Sequence, residues 1–272
     1  MPERASTPGR AAATRPAAYV LSAVEFDVVW RGLGLGAPPV VLQVPSPGRT
    51  HTERRWIEAH AWTALRERGL VGVAERLLGL LASSSARVEV RAWGASACRA
   101  VVAGRGDRGV LARSRGDTVV VQPCGSVPGA VGGLLAGGRP GPGRAACVPA
   151  ADLAAVLRRP SGTGLRTDLV ARGVDPVEAG LVARMLHAVS ARSQVAVVGP
   201  DRRRSLLELL DGPRGRYLMR HTPDGAWTTV APVDDRRLRA GVAKLLEPGA
   251  QSRSPCRISC LPASVIEPDS EG

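Results

Sequence analysis

The sequence predicts an α+β fold in which antiparallel strands and helices are organised as two related halves, and three observations carry that expectation. The stretch Gly215 to Pro232, GRYLMRHTPDGAWTTVAP, alternates side-chain types on either side of Pro223-Asp224-Gly225 and reads as a β-hairpin. Pro232 then blocks further sheet pairing, and Asp234 opens an amphipathic helix with Leu238, Val242, Leu245 and Leu246 on one face. A fainter copy of hairpin followed by apolar run lies mid-chain. There Gly109 to Arg113, a turn at Ser114-Arg115-Gly116-Asp117, Thr118 to Val121 and Pro123 precede a Gly-interrupted segment ending at Leu134-Leu135. Between the copies, Gly137 to Gly143 (GGRPGPG) holds too much Gly and Pro for any element interior and marks the boundary.

A chain of 272 residues can build one large core or two fused halves without a metal or disulfide staple. The five cysteines, at 98, 124, 147, 256 and 260, are odd in number and share no spacing. The first 18 residues carry no apolar stretch of the kind a secretory signal needs, so the expected location is the reducing cytoplasm. No segment approaches the roughly 20 apolar residues that cross a bilayer. The net charge of +13 would suit an anionic partner, yet the arginines are spread over every expected element and Lys244 is the only lysine. Compositional bias accounts for that pattern. A basic nucleic-acid-binding protein is the alternative reading, and the scarcity of aromatics leaves little to interleave with the basic residues.

Order is expected to begin near Tyr19. Ser22 and Glu25 have capping-box spacing, which predicts a helix to about Gly34 with Leu21, Val24 and Val28 on one face and Phe26, Val29, Trp30 and Leu33 widening the apolar arc. Val40 to Val44 reads as a strand. Thr50 and Glu53 repeat the box ahead of a helix ending at Gly69, and Val73 to Leu81 form a second, short one. Arg87 to Trp93 alternates as a half-buried strand, with Val88, Val90 and Ala92 on its apolar face. Ser96 to Ala103, Gly109 to Arg113 and Thr118 to Gln122 continue an antiparallel meander through Gly-Asp turns.

The second half opens with a strand over Ala146 to Val148 and a helix from Ala150 to Leu157, mirroring the passage from Gln43-Val44-Pro45 into the Thr50 helix. Asp175, Pro176 and Glu178 supply N-cap, first-turn proline and capping-box glutamate for a helix to about Ala188. Gln194 to Val198 and Ser205 to Leu210 are strands. The division expected is a tail over 1–18, halves at 19–137 and 144–247 around a 138–143 connection, and a second tail over 248–272, both tails disordered.

No catalytic constellation stands out. His51, His60, His187 and His221 are scattered, and Cys256 and Cys260 at C-x3-C spacing lack the second ligand pair that zinc sites use. Gly32, Gly34 and Gly36 follow a helix rather than a strand, which removes the mechanism of a dinucleotide fingerprint. Asp168, Asp175, Glu178, Asp234 and Asp235 sit where helix N-termini favour negative charge. The remaining signals concern surfaces. Arg202, Arg203 and Arg204 flank Leu206 in a docking-edge pattern, and Tyr217, Met219 and His221 are expected on the non-core face of the sheet as partner-binding residues.

Taken in order, several segments resemble the EspG family of ESX (type VII) secretion-associated proteins of actinobacteria. They are Leu21 to Trp30 with Leu33-Gly34-Leu35-Gly36, Val44 to Thr50, Glu53-Arg54, and Leu65 to Leu70. Arg105 to Ala112, Pro140 to Arg144, Val148-Pro149, Gly215 to Leu218 and Trp227 to Pro232 follow, so the likeness runs from about residue 19 to about 246. The resemblance implies a central antiparallel sheet flanked by helical bundles in pseudo-two-fold halves. It also implies a non-enzymatic cytosolic chaperone, without cofactor or metal, that binds the exposed tip of a PPE protein in a PE–PPE heterodimer, shields it and delivers it to the secretion machinery. In the family the contact surface is the sheet and C-terminal helical bundle rather than a signature motif, so no contact residue carries over by position. Oligomeric state, monomer or weak homodimer, stays open.

Overall fold

The computed structural model describes residues 17–94, 97–158, 164–199 and 204–247. The first half runs β1 (Tyr19–Ser22), α1 (Ala23–Gly32), α2 (His51–Glu67), α3 (Val71–Ser83), β2 (Ala86–Trp93), β3 (Cys98–Arg105), β4 (Arg108–Arg115), β5 (Thr118–Cys124) and α4 (Val127–Leu134). The second runs β6 (Ala146–Pro149), α5 (Ala150–Arg158), α6 (Leu165–Val170), α7 (Pro176–Met185), β7 (Ala191–Val198), β8 (Arg204–Gly212), β9 (Gly215–His221), β10 (Trp227–Pro232) and α8 (Asp235–Leu246). Each half is thus a strand, three helices, four strands and a helix.

The ten strands form one antiparallel sheet in the order β1-β5-β4-β3-β2-β7-β8-β9-β10-β6. Read from either edge, the order is lone strand, then the meander backwards to its first strand. The halves meet in the sheet at the β2–β7 pair, where Val90 lies opposite Val195.

Strand alternation divides the core into three parts. Val88, Val90, Ala100, Val102, Val195, Val197, Leu207 and Leu209 point to one face and pack against Val127 and Val131 of α4 and Leu238 and Val242 of α8. The intervening residues point the other way. Val101, Ala103, Val110, Ala112, Val119 and Val121 bury against α1, α2 and α3 through Phe26, Val29, Leu65 and Leu78. On that same face at the opposite wing, Leu210, Tyr217, Met219, Val230 and Val148 bury against α5, α6 and α7 through Leu153, Leu169 and Val182. One face therefore carries a central helix pair, and the other carries two helical bundles with a gap between them.

Local chemistry sets the element ends. The Ser22 box is complete: its hydroxyl accepts from the Glu25 N–H and the Glu25 carboxylate accepts from the Ser22 N–H at 2.7 Å. The Glu25 carboxylate also takes Arg68, and the buried Asp27 takes Arg31, Ser46 and Arg54, so neither buried carboxylate is left unpaired. At the later hairpin, Gly225 adopts φ of 71° and its N–H donates to the Thr222 carbonyl, closing the expected turn.

Several expectations are corrected. Val40 to Val44 is not a strand: Val40–Leu42 is a single 3-10 turn, preceded by two prolines that withhold N–H donors and ended by Gln43 at φ 51°. Leu21 belongs to the short strand β1 rather than to the first helix, and β6 sits at the edge opposite β1, so β6 leading into α5 parallels β1 leading into α1, not the Thr50 helix. Thr50 caps α2, but Glu53 accepts from Arg49 N–H instead of closing the box. Glu178 likewise leaves its own helix start, accepting from the Cys147 N–H and from Arg144 on the β6 edge. The 138–143 connection is packed against β9: the Arg216 N–H donates to the Arg139 carbonyl, and the Gly141 N–H donates to the Arg216 carbonyl. Both terminal tails beyond residue 17 and residue 247, with Cys256 and Cys260, lie outside the described residues.

Candidate functional site

Where the two bundles part, the sheet face they share is left open as a cleft of about 540 Å³. Its floor comes from β2, β7 and the start of β8. Arg87, Glu89 and Arg91 are the polar alternates of β2, and the register sets Glu89 beside Ala196 and Ala196 beside Leu206. One wall is the Pro38-Pro39-Val40-Val41 segment. The same alternation that buries Val88 and Val90 under α4 and α8 thus turns a charged row toward this gap.

Electrostatically the floor is mixed. Glu89 is gripped by Arg87 at 3.3 Å and Arg204 at 3.6 Å, and deeper along the strand Glu208 takes Arg192 at 2.5 Å and Gln194 at 3.0 Å. The Arg91 guanidinium lies 4.8 Å from the Trp93 ring centroid. Apolar area breaks through at Val40, 85% exposed, and Leu206, 38% exposed. Apolar patches ringed by charge on a rigid sheet suit protein recognition, because the surface pays little ordering entropy on binding.

The sequence-predicted partner residues divide between this cleft and the core. Arg204 and Leu206 line it. His221 extends the same strip of sheet, exposed, with Nδ1 2.8 Å from Thr228 Oγ1. Tyr217 and Met219 are corrected: they are 2% and 9% exposed and lie beneath α5–α7, so they support the floor from the core instead of facing solvent. Arg202 and Arg203 lie outside the described residues. Sequence reasoning missed Arg87, Glu89, Arg91 and the Val40 wall. The polar alternates of β2 read as an ordinary solvent face, and only the strand order reveals that this face lies between two bundles.

The remaining reactive groups are dispersed. Burial pushes the Cys124 thiol up to about 11 and raises that of Cys98, where Arg113 works against the burial. His60 Nδ1 is 2.8 Å from the Trp56 carbonyl oxygen within α2, and its ring lies tilted by 40° against the Trp56 ring. Among the described residues no group of three or more His, Cys, Asp or Glu has the arrangement of a metal site, and no helix is long and apolar enough to cross a membrane.

The EspG family profile matches residues 22–244, nearly all of the described fold. This chain belongs to the EspG family. A solved structure with the same fold is the Mycobacterium tuberculosis type VII secretion system chaperone EspG5 in complex with the PE25–PPE41 dimer. It superposes with a TM-score of 0.62 at 18% sequence identity, over 85% of this chain and 96% of that chain. No curated protein matches the sequence. The fold of EspG5 is therefore reached here with fewer than one residue in five shared with it.

Proposed function

We propose that this EspG-family chain is a non-catalytic cytosolic chaperone of type VII secretion, binding a PE–PPE heterodimer, shielding the apolar tip of its PPE subunit and handing it to the secretion machinery. The observation that carries the reading is family membership over 22–244, joined to the fold shared with a chaperone that was solved on a PE–PPE dimer. The cleft supplies a fitting surface, with Leu206 and Val40 as apolar anchors, Arg204 in its lining, His221 on the adjoining strip and Tyr217 and Met219 as buried support. The sequence run Arg202, Arg203 and Arg204 would steer acidic partners. The division into halves at 19–137 and 144–247, related by duplication, belongs to the same proposal, and the matching element order of the two halves supports it.

The basic-protein alternative is weakened because many arginines are already committed to carboxylates: Arg31, Arg54, Arg68, Arg192 and Arg216 each hold one. Co-expression with PE–PPE pairs from the same genome, followed by affinity capture and size exclusion, tests the function. A stable ternary complex with at least one pair is expected. Capture of none, together with a mobility shift of DNA at moderate salt, would replace the chaperone reading with the nucleic-acid one.

A further inference from the structure

Arg91, which lines the cleft, and the half-buried Arg99 beside it on the same sheet face stand in an arrangement that sheets ordinarily avoid. Arg91 on β2 is the register partner of Arg99 on β3, so the two side chains leave the same face side by side. Directly opposed like charges destabilise an antiparallel pair. Neighbouring arginines of this face meet no like charge across the ladder and each hold an acid: Arg87 and Arg204 share Glu89, and Arg192 takes Glu208. Arg91 and Arg99 hold no carboxylate among the described residues. Across the seam Arg91 faces Gln194, which carries no charge and already donates to Glu208. Its contact with the Trp93 ring orients the cation without neutralising it.

We infer that the Arg91–Arg99 pair is a receptor for a client carboxylate, and that it selects clients whose apolar tip carries an Asp or Glu beside it. The inference rests on the reading of the cleft as a protein-binding surface. A carboxylate placed between two guanidinium groups relieves their repulsion and accepts charge-assisted hydrogen bonds from both. A neutral or basic residue at that point leaves the repulsion in place, so discrimination comes from the difference between clients. The neighbourhood favours a protein acid over a phosphate chain. Glu89 and Glu208 already occupy the neighbouring arginines, which leaves one pair of cations rather than a continuous basic track, and Leu206 and Val40 offer apolar contacts that a sugar–phosphate backbone has no use for.

The test uses the full chain and two labelled ten-residue peptides, one with a Leu-Leu-Glu core and its Leu-Leu-Gln counterpart, titrated by fluorescence anisotropy at low salt. The Glu peptide is expected to bind about tenfold more tightly to the wild-type chain, a preference that falls to about one in Arg91→Gln and in Arg99→Gln. Because the free pair is repulsive, Arg91→Gln should also raise the thermal midpoint by about 2 °C. Equal affinity for the two peptides, binding of neither, a preference that survives Arg91→Gln, a lowered midpoint, or displacement of the Glu peptide by an equal concentration of single-stranded DNA would each overturn it. The chaperone reading fails on a different result, the capture of no heterodimer, which the peptide titration does not depend on.

Discussion

Arg216 shows how this arginine-rich chain uses a buried cation. Its Nε and Nη2 meet the two oxygens of Asp211 at 2.7 and 3.2 Å, while Nη1 donates to the Leu135 carbonyl and to Asp235 at 3.3 Å. It therefore ties β8, the end of α4 and the start of α8 to one guanidinium. Such a cluster adds little net stability when intact, but removing one member strands the others. Arg216→Leu should cost about 3 to 5 kcal/mol in urea unfolding, whereas replacing Arg31, whose side chain is largely exposed where it meets Asp27, should cost under about 1 kcal/mol. A small loss at Arg216 would mean that the cluster relaxes or hydrates. The Cys124 thiol makes a second residue-scale test. With burial holding its pKa near 11, only about one molecule in a thousand carries the thiolate at pH 8. Alkylation should be slow in the native chain, quicken as pH rises toward 11, and become rapid at pH 8 once urea unfolds the protein.

At the scale of elements, the connection between the halves and the two sheet edges depend on particular contacts. A Cβ on Gly141 would fall inside the Tyr217 ring, and one on Gly138 inside the Arg216 guanidinium, although neither glycine has a positive φ. These glycines are therefore needed for close approach rather than for backbone freedom. Gly141→Ala should lower stability by about 1 to 3 kcal/mol in thermal or urea unfolding. Gly133→Ala, in open space on α4, should be neutral or slightly stabilising. Both edge strands are occupied by side chains from nearby helices: Arg68 donates to the Val20 carbonyl on β1, and Glu178 accepts from the Cys147 N–H on β6. Blocking an edge this way discourages strand addition by another copy. Glu178→Ala should produce concentration-dependent association in analytical ultracentrifugation; an unchanged sedimentation profile would show that the edge is protected by other means.

What could be read from the chain and what could not follows the range of each signal. The Ser22 box, the Asp175 and Asp234 caps, the β2 alternation and the Gly225 turn each act over a short local stretch and were legible. The strand misassigned at Val40 has the right residue types but no partner strand, a fact that lives in tertiary structure. Met219 alternates like a surface residue, and only the packing of α5–α7 over β9 buries it. The cleft was illegible for the same reason: Glu89 and Leu206 are 117 positions apart and become neighbours through Ala196.

For the whole molecule, the mixed charge of the cleft and the net charge of +13 bear on how a partner arrives more than on how tightly it stays. Reversing Arg202, Arg203 and Arg204 to glutamate should slow association with a captured heterodimer by about tenfold at low salt, with the difference shrinking as ionic strength rises. A rate that ignores both salt and substitution would discard steering by this segment.

The pairing at the middle of the sheet also bears on how the chain is made. Val90 finds Val195 only after 105 further residues have been added. At ordinary synthesis speeds that is roughly 5 to 20 s during which β2 leaves the ribosome with one side unmatched. The valines of that strand are then open to any other nascent copy, so translation rate and early chaperone attendance should govern yield more strongly than the stability of the finished fold.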